Sequence, residues 1–296
     1  MDDTARPTVG FVGLGAMGLP MAQRLLAAGF PLVVHTRTAV RAAPVVEAGA
    51  RLVDRPAAVA AQARIILTCL NTVEAVEEVM LGADGLVAAA PPGALLVDHS
   101  TISPELARRI GAAAAARGVS FLDAPVSGGP EGASRGTLAI MAGGSAEAFE
   151  RALPVLRCYG TTIQRMGAVG SGTLAKLVNQ LLTFVHGAVA AEAIALAQEV
   201  GLELEPLADV LRAGFGQSRM LDRTLARVAA HDYTAGAALT LYEKDLGLVQ
   251  QLGEAHAFPL PVAGAAQGIL RQAVQEGLGG RDIAALRLRY PDATEA

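Results

Sequence analysis

Lys176 and Asn179 stand three residues apart in the stretch Gly167-Ala-Val-Gly-Ser-Gly-Thr-Leu-Ala-Lys176-Leu-Val-Asn179-Gln-Leu-Leu. In a helix that spacing puts both side chains on one face. Together they offer an ammonium able to give or take a proton and an amide able to donate and accept hydrogen bonds. Taken alone, such a pair is far more often a solvated helix face. What precedes it in the chain decides between the two readings.

The chain has 296 residues, 52% of them hydrophobic, enough for two domains of ordinary size that fold without staples. A net charge of −4 without a basic stripe argues against a nucleic-acid partner. Cys69 and Cys158 are too few for a disulfide framework and match no CxxC or Cys/His metal pattern, so both are expected as core thiols and no metal is expected. The acidic Met1-Asp-Asp start is unlike a signal peptide. Leu181 to Ala197, the most apolar long stretch, is broken by His186 and Glu192 and is shorter than the roughly 20 residues of a membrane crossing. These features predict a cytoplasmic protein with no membrane partner.

Thr8 to Val12 reads as a strand that runs into Gly13-Leu14-Gly15-Ala16-Met17-Gly18 and then a helix from Leu19 to Ala28. Such a glycine turn permits close backbone approach to a pyrophosphate, and the helix N-terminus adds amides and positive potential. A second strand, Pro31 to His35, ends in Thr36-Arg37-Thr38, where an NAD site usually holds an acidic residue for the ribose hydroxyls. No carboxylate stands there to repel a 2′-phosphate, and Arg37 has the planar fork to pair with one. NADP is the expected cofactor, with NAD as the alternative and a solvated Arg37 as the bland reading. Further strands, Arg64 to Leu70 and Ala94 to Asp98, alternate with helices, Glu74 to Met80 and one begun by Pro104. Alternation of this kind predicts an α/β fold, a Rossmann doubly wound parallel sheet. Leu70 and Asn71, with Val76 on the next helix, and Ser100 and Thr101 then fall at the cofactor's edge, although Ser100 and Ser103 also suit helix capping.

After a strand from Val119 to Leu122 comes Asp123-Ala-Pro-Val-Ser127-Gly128-Gly129-Pro130, expected as a loop too rich in glycine to be a strand. Small residues expose backbone N–H groups, and the Ser127 hydroxyl beside them completes a concavity suited to a carboxylate; a plain strand connection is the other reading. Thr137 to Met141 returns as a strand. From Gly170 onward helical periodicity takes over: Ser171 to Val200, then helices around Pro206 to Ala213, Arg219 to Ala230, Leu239 to Ala257 and Pro261 to Glu276. The expected organisation is a dinucleotide-binding domain over residues 1–166 and an all-helical domain over 167–296. Lys244-Asp245 within the second reads most simply as a surface pair. The long helix exceeds what one domain's face needs and points to a subunit contact in a homodimer or homotetramer.

With Gly13 to Gly18, Asp98-His-Ser100-Thr101, Asp123 to Gly129, Gly167 to Asn179 and Lys244-Asp245-Leu in this order, the chain resembles the β-hydroxyacid dehydrogenases over nearly its whole length. That resemblance implies a Rossmann domain, an all-helical domain and an active site in the cleft between them. It implies Lys176 as the catalytic lysine, Asn179 as the substrate-orienting asparagine, and Ser127, Gly128 and Gly129 as the carboxylate-binding loop. Thr101 and Asn71 correspond to contacts near the nicotinamide ribose, and Lys244 to a lysine closing over the cofactor. In reduction, Lys176 would protonate the developing alkoxide as hydride leaves the nicotinamide; in oxidation, neutral Lys176 would take the hydroxyl proton, so alcohol oxidation should rise with pH. The implied substrates are small hydroxyacids and semialdehydes.

Single residues weigh the neighbouring families. Imine reductases typically lack this lysine, and 6-phosphogluconate dehydrogenases carry His where Asn179 stands. Ala237 occupies a position where glyoxylate, tartronate semialdehyde and hydroxyisobutyrate enzymes usually place a Phe over the substrate. The C-terminal motifs look most like the L-threonate dehydrogenase branch, which generally uses NAD, against the reading of Arg37. A hydroxyacid of about four carbons is therefore favoured over glyoxylate. The rival of a different class is a non-catalytic dinucleotide-binding or assembly protein on the same fold.

Overall fold

In the computed structural model, which describes residues 6–291, the chain divides into two compact units that meet at Lys176/Leu177, inside a helix. The first unit is built on nine strands: β1 (Val9–Val12), β2 (Leu32–His35), β3 (Arg51–Leu52), β4 (Ile65–Thr68), β5 (Leu95–Asp98), β6 (Ser120–Asp123), β7 (Val126–Ser127), β8 (Leu138–Gly143) and β9 (Gly160–Gly167). Its helices are α1 (Gly18–Ala27), α2 (Ala43–Glu47), α3 (Pro56–Ala60), α4 (Val73–Leu81), α5 (Leu86–Ala89), α6 (Pro104–Ala115), α7 (Gly129–Arg135) and α8 (Ala146–Leu156). The strands run in the order β3-β2-β1-β4-β5-β6-β8-β7, with β9 pairing β8. From β3 through β6 all pairs are parallel; β8 runs antiparallel to β6 and β7. The order 3-2-1-4-5-6 is that of a Rossmann sheet, and it reverses between β1 and β4, where such sheets bind ligands.

Strands β1, β2, β4, β5 and β6 are short and buried almost throughout, as parallel strands covered by helices must be. Alternation sorts their side chains into two cores. Phe11, Val34, Leu67 and Val97 pack on one side with α1, and Val12, Val33, Ile66 and Leu96 on the other with α4 and α6. Register then sets the rim: Val12 pairs with His35 and Thr68, Thr68 with Asp98, and Asp98 with Asp123. Their carboxyl ends therefore lie in one row. The glycine-rich segment after β6 is not an open loop as expected. Val126–Ser127 pairs with β8, and Gly129 to Arg135 turn as α7, because Gly128 (φ +135°) bends the chain where a side chain would be strained.

Helix α9 (Ser171–Glu199) starts in the first unit and continues in the second with α10 (Leu204–Ala213), α11 (Arg219–Ala229), α12 (Leu239–Ala255) and α13 (Pro261–Ala273). At 29 residues α9 is long and apolar enough to cross a membrane by length and composition, against the shorter stretch expected from sequence. Its residues Phe184, Ala191 and Ile194 are buried. Its polar residues Gln180 and Gln198 hydrogen-bond Asp245 and Arg287. A buried Asp282, which receives both Arg223 guanidinium nitrogens at 2.6 Å, anchors the C-terminal turn.

Candidate active site

The turn between β1 and α1 assigns each glycine a separate task. Gly13 has φ +99°, and a Cβ there would lie 2.3 Å from the Cys69 carbonyl oxygen, so the strand end fits tightly against its neighbour. A Cβ on Gly18 would lie 1.9 Å from the Gly13 carbonyl oxygen. Gly15 differs: a Cβ there would meet only Asn71 Oδ1, at 3.9 Å. Open space over the middle glycine is what backbone approach to a pyrophosphate requires. Met17, at the N-cap of α1, makes no side-chain capping hydrogen bond, which suits first-turn amides that are to meet a ligand. The turn thus has the open backbone that a dinucleotide's pyrophosphate requires.

Around it lie the other strand ends. Thr36 is half-buried and Arg37 and Thr38 are exposed after β2. Leu70 and Asn71 follow β4, and Thr101 follows β5. A buried carboxylate ties these last two loops together: Asp98 Oδ1 accepts from Thr68 Oγ1 and Ser100 Oγ, both at 2.6 Å, and Ser100 Oγ accepts from the Leu70 amide at 3.0 Å. Ser100 is therefore a loop tie, while Ser103 caps α6 through the Leu106 amide at 3.1 Å. Next to Asp98, His99 is buried and neutral, its pKa lowered by burial to about 4. Its Nδ1 faces the Ala124 carbonyl at 2.6 Å and so must donate, leaving Nε2 to accept from the Tyr159 hydroxyl at 2.9 Å. Val76 needs correction: it lies on the core-facing side of α4 and is fully buried, with no surface to offer a cofactor.

Asp123, at the end of β6, governs Lys176. Its Oδ1 accepts the Gly170 amide at 2.7 Å and its Oδ2 the Thr173 amide at 2.8 Å, which caps α9. Burial raises this carboxyl to about 6, and the amides oppose the rise. Three residues past Thr173, Lys176 is itself only 6% exposed. It lies near enough to Cys69 for its charge to lower that thiol's pKa, although burial foremost, and then Asp98, push the thiol up to about 12. Both cysteines are part-buried free thiols against the core edge. Ser127 is half-buried, Gly128 exposed and Gly129 half-buried at the β7–α7 junction.

A second group belongs to the unit beyond Lys176. Asn179 Nδ2 donates to Gln180 Oε1 at 3.0 Å, Gln180 donates to Asp245, and Lys244 Nζ is 2.9 Å from Asp245 Oδ1. The Lys244-Asp245 pair is thus no simple surface feature. Asp245 is 6% exposed because α12 turns it inward against Gln180. Gln180, the loop-tying role of Asp98 and the capping role of Asp123 escaped sequence reasoning; the one visible signal was an acid closing each of two otherwise apolar strands.

Residues 8–168 match the family described as the NAD binding domain of 6-phosphogluconate dehydrogenase, and residues 170–289 that described as NAD-binding of NADP-dependent 3-hydroxyisobutyrate dehydrogenase. The chain belongs to this superfamily of NAD(P)-linked oxidoreductases. It is 37% identical to 2-(hydroxymethyl)glutarate dehydrogenase of Eubacterium barkeri, over 94% of this chain and 93% of that one. L-threonate dehydrogenase of Cupriavidus necator is 36% identical over 96% of each. The crystal structure of 3-hydroxyisobutyrate dehydrogenase from Salmonella typhimurium has a TM-score of 0.88 at 34% identity, covering 96% of this chain and 99% of that one. As a member of the superfamily the protein is a catalytic, NAD(P)-dependent dehydrogenase with a Rossmann domain and a mostly helical C-terminal domain.

Proposed function

We propose that this dehydrogenase uses NADP and interconverts a small 3-hydroxyacid, or a sugar acid of three to five carbons, with its semialdehyde or oxo form, Lys176 acting as general acid and base. The observation that carries this reading is Lys176: a lysine 6% exposed, on a helix whose start is tied by Asp123 to the strand rim that bears the dinucleotide turn. In reduction Lys176 donates a proton to the carbonyl oxygen as charge develops there; in oxidation the neutral amine takes the hydroxyl proton. The nicotinamide supplies or accepts the hydride. Ser127 and the amides of Gly128 and Gly129 hold the substrate carboxylate, Asn179 orients the substrate, and Thr36 to Thr38, Leu70, Asn71, Thr101 and Lys244 line the cofactor. Arg37, exposed and without an acidic neighbour in sequence, pairs with the 2′-phosphate. The substrates named for the two relatives, 2-(hydroxymethyl)glutarate and L-threonate, are hydroxyacids of more than three carbons. They support the larger pocket suggested by Ala237.

The test is a panel of hydroxyacids and semialdehydes of three to five carbons against NADPH and NADH, in the wild type and Arg37→Ala. Loss of a charge-assisted bidentate contact should lower kcat/KM with NADPH by about tenfold or more and leave NADH nearly unchanged. An unmoved ratio removes Arg37 from the reading, and no turnover across the panel removes the substrate class.

Val178, Leu182, Val189 and Leu196 are each more than half exposed and fall on one face over about 27 Å of helix. A face of this kind suits a second copy of the chain, and Leu196→Glu should lower the mass measured by sedimentation. Two unpaired thiols suit a reducing compartment, the cytoplasm.

A further inference from the structure

Asn179 is held by its amide nitrogen. Its Nδ2 donates to Gln180 Oε1 at 3.0 Å and to Thr183 Oγ1 at 3.3 Å. Which end of an amide is nitrogen must be settled by the surrounding network, and here a carboxylate settles it. Asp245 is buried and has the Lys244 ammonium 2.9 Å from Oδ1. A carboxylate so paired can only accept. The Gln180 atom that faces Asp245 Oδ2 is therefore its Nε2, and Oε1 is turned toward Asn179. Asn179 has to answer with Nδ2. Thr183 enforces the same polarity, because its hydroxyl proton goes to the Asn179 main-chain oxygen at 2.8 Å and leaves a lone pair for Nδ2. The side-chain oxygen Oδ1 is the end that faces out of the network.

We propose that Asn179 reads the substrate through Oδ1, as an acceptor, and so selects a substrate with an O–H or N–H donor on the carbon beside the reacting one. This rests on the reading of Lys176 and Asn179 as substrate-facing. The reacting hydroxyl has a single proton, which goes to Lys176, and neither a carboxylate nor a carbonyl has one to give. The donor is thus a second group, a hydroxyl or an ammonium. Lys176 and Asn179 are one helical turn apart, with Cβ atoms roughly 5–6 Å from each other, a separation that groups on adjacent carbons can bridge. Gln180 and Asp245 are positioning residues, acting through Asn179. A site built to bond a donor discriminates more sharply against its absence than an apolar pocket does against a missing methylene.

The experiment uses the full-length protein with NADP+ and four acids: 3-hydroxypropanoate, and its derivatives with methoxy, hydroxyl (glycerate) or ammonium (serine) at C2, each chiral acid as both enantiomers. Dissociation constants of the ternary complex and kcat/KM are both measured. In the wild type the hydroxyl or the ammonium acid should bind about three- to tenfold tighter than the other two, and the better of the pair identifies the donor. Asn179→Ala should collapse that preference below twofold. Gln180→Met, which frees the amide to turn, should erode it while NADP+ affinity and the melting temperature of the half-buried Asn179→Ala control stay close to wild type. Equal binding of all four acids, or equal weakening of all four in Asn179→Ala, overturns the proposal. Discriminating binding with no turnover leaves the inference standing and removes the substrate reading above; equal turnover of all four does the reverse, and no binding of any removes both.

Discussion

Asp123 and Thr173 are joined by a hydrogen bond of 2.8 Å from the Thr173 amide to Asp123 Oδ2, and through it the end of a sheet strand determines where the lysine-bearing helix begins. Close packing reinforces the bond. A Cβ on Gly172 would lie 2.3 Å from the Met141 carbonyl oxygen and 2.4 Å from that of Asp123, so the first turn of α9 rests directly on strand backbone. Lys176 is therefore placed by the sheet, to within the tolerance of one short helical segment.

Removing the cap should separate chemistry from binding. Asp123→Ala leaves two helix amides without their acceptor and should cost about 1–2 kcal/mol of stability. A displacement of Lys176 by a fraction of an ångström to 1 Å should lower kcat by about ten- to a hundredfold, with NADP+ affinity within twofold of wild type. Asp123→Asn retains one acceptor and should recover part of kcat. Equal losses in kcat and cofactor affinity would show that Asp123 supports the fold and nothing more specific.

The glycine turn predicts opposite outcomes for two alanines. Gly15→Ala has room for its methyl in the protein, so the melting temperature should hold while the NADP+ dissociation constant rises at least tenfold. Gly18→Ala puts a methyl 1.9 Å from the Gly13 carbonyl oxygen and should unfold or fail to accumulate. Calorimetric melting and cofactor titration of both variants distinguish these effects.

His99 carries a pH dependence whose sign follows from its burial. Its folded pKa, about 4, lies below the unfolded value of 6.5, so its contribution is fully present above pH 6.5 and is lost as pH falls toward 4. Asp123 acts in the opposite sense: raised to about 6, it contributes below its unfolded 3.8 and loses that contribution as pH rises through 6. Comparing wild type with His99→Gln cancels the Asp123 effect. Between pH 6.5 and pH 5 the wild type should lose about 2 kcal/mol relative to the variant in chemical denaturation. A constant difference across that range would place a charged His99 in the fold.

The Rossmann half was legible because each of its signals is local: apolar runs of strand length, a glycine turn at one strand end, Pro104 and Ser103 at a helix start. What stayed hidden was set by partners distant in sequence. Strand β9 has mostly exposed side chains, and its strand character comes from backbone pairing with β8, which side-chain patterning does not report. Asp245 looked like half of a surface ion pair because nothing in the twelfth helix says that Gln180, 65 residues earlier, waits beneath it. Val76 differs from expectation for a related reason: α4 rotates that valine into the core, an orientation set by what the helix packs against. Residue type and spacing single out Lys176 and Asn179 as candidates and the resemblance implies their roles; the burial of Lys176, and the polarity of the Asn179 amide, required the fold.

Lys176 itself supports the most direct test. Lys176→Met keeps the length and apolar stem of a side chain that is 6% exposed, so folding and cofactor binding should survive. Without a proton donor and acceptor at that position, kcat should fall by about 10²- to 10⁴-fold in both directions. In the wild type the rate of alcohol oxidation should climb with pH, since only the neutral amine can accept the hydroxyl proton, and the climb should vanish in the variant. Added small primary amines should restore part of the variant's rate in proportion to their unprotonated concentration. Near-normal turnover in Lys176→Met, or a pH profile that persists without the lysine, would assign the proton transfer to another group.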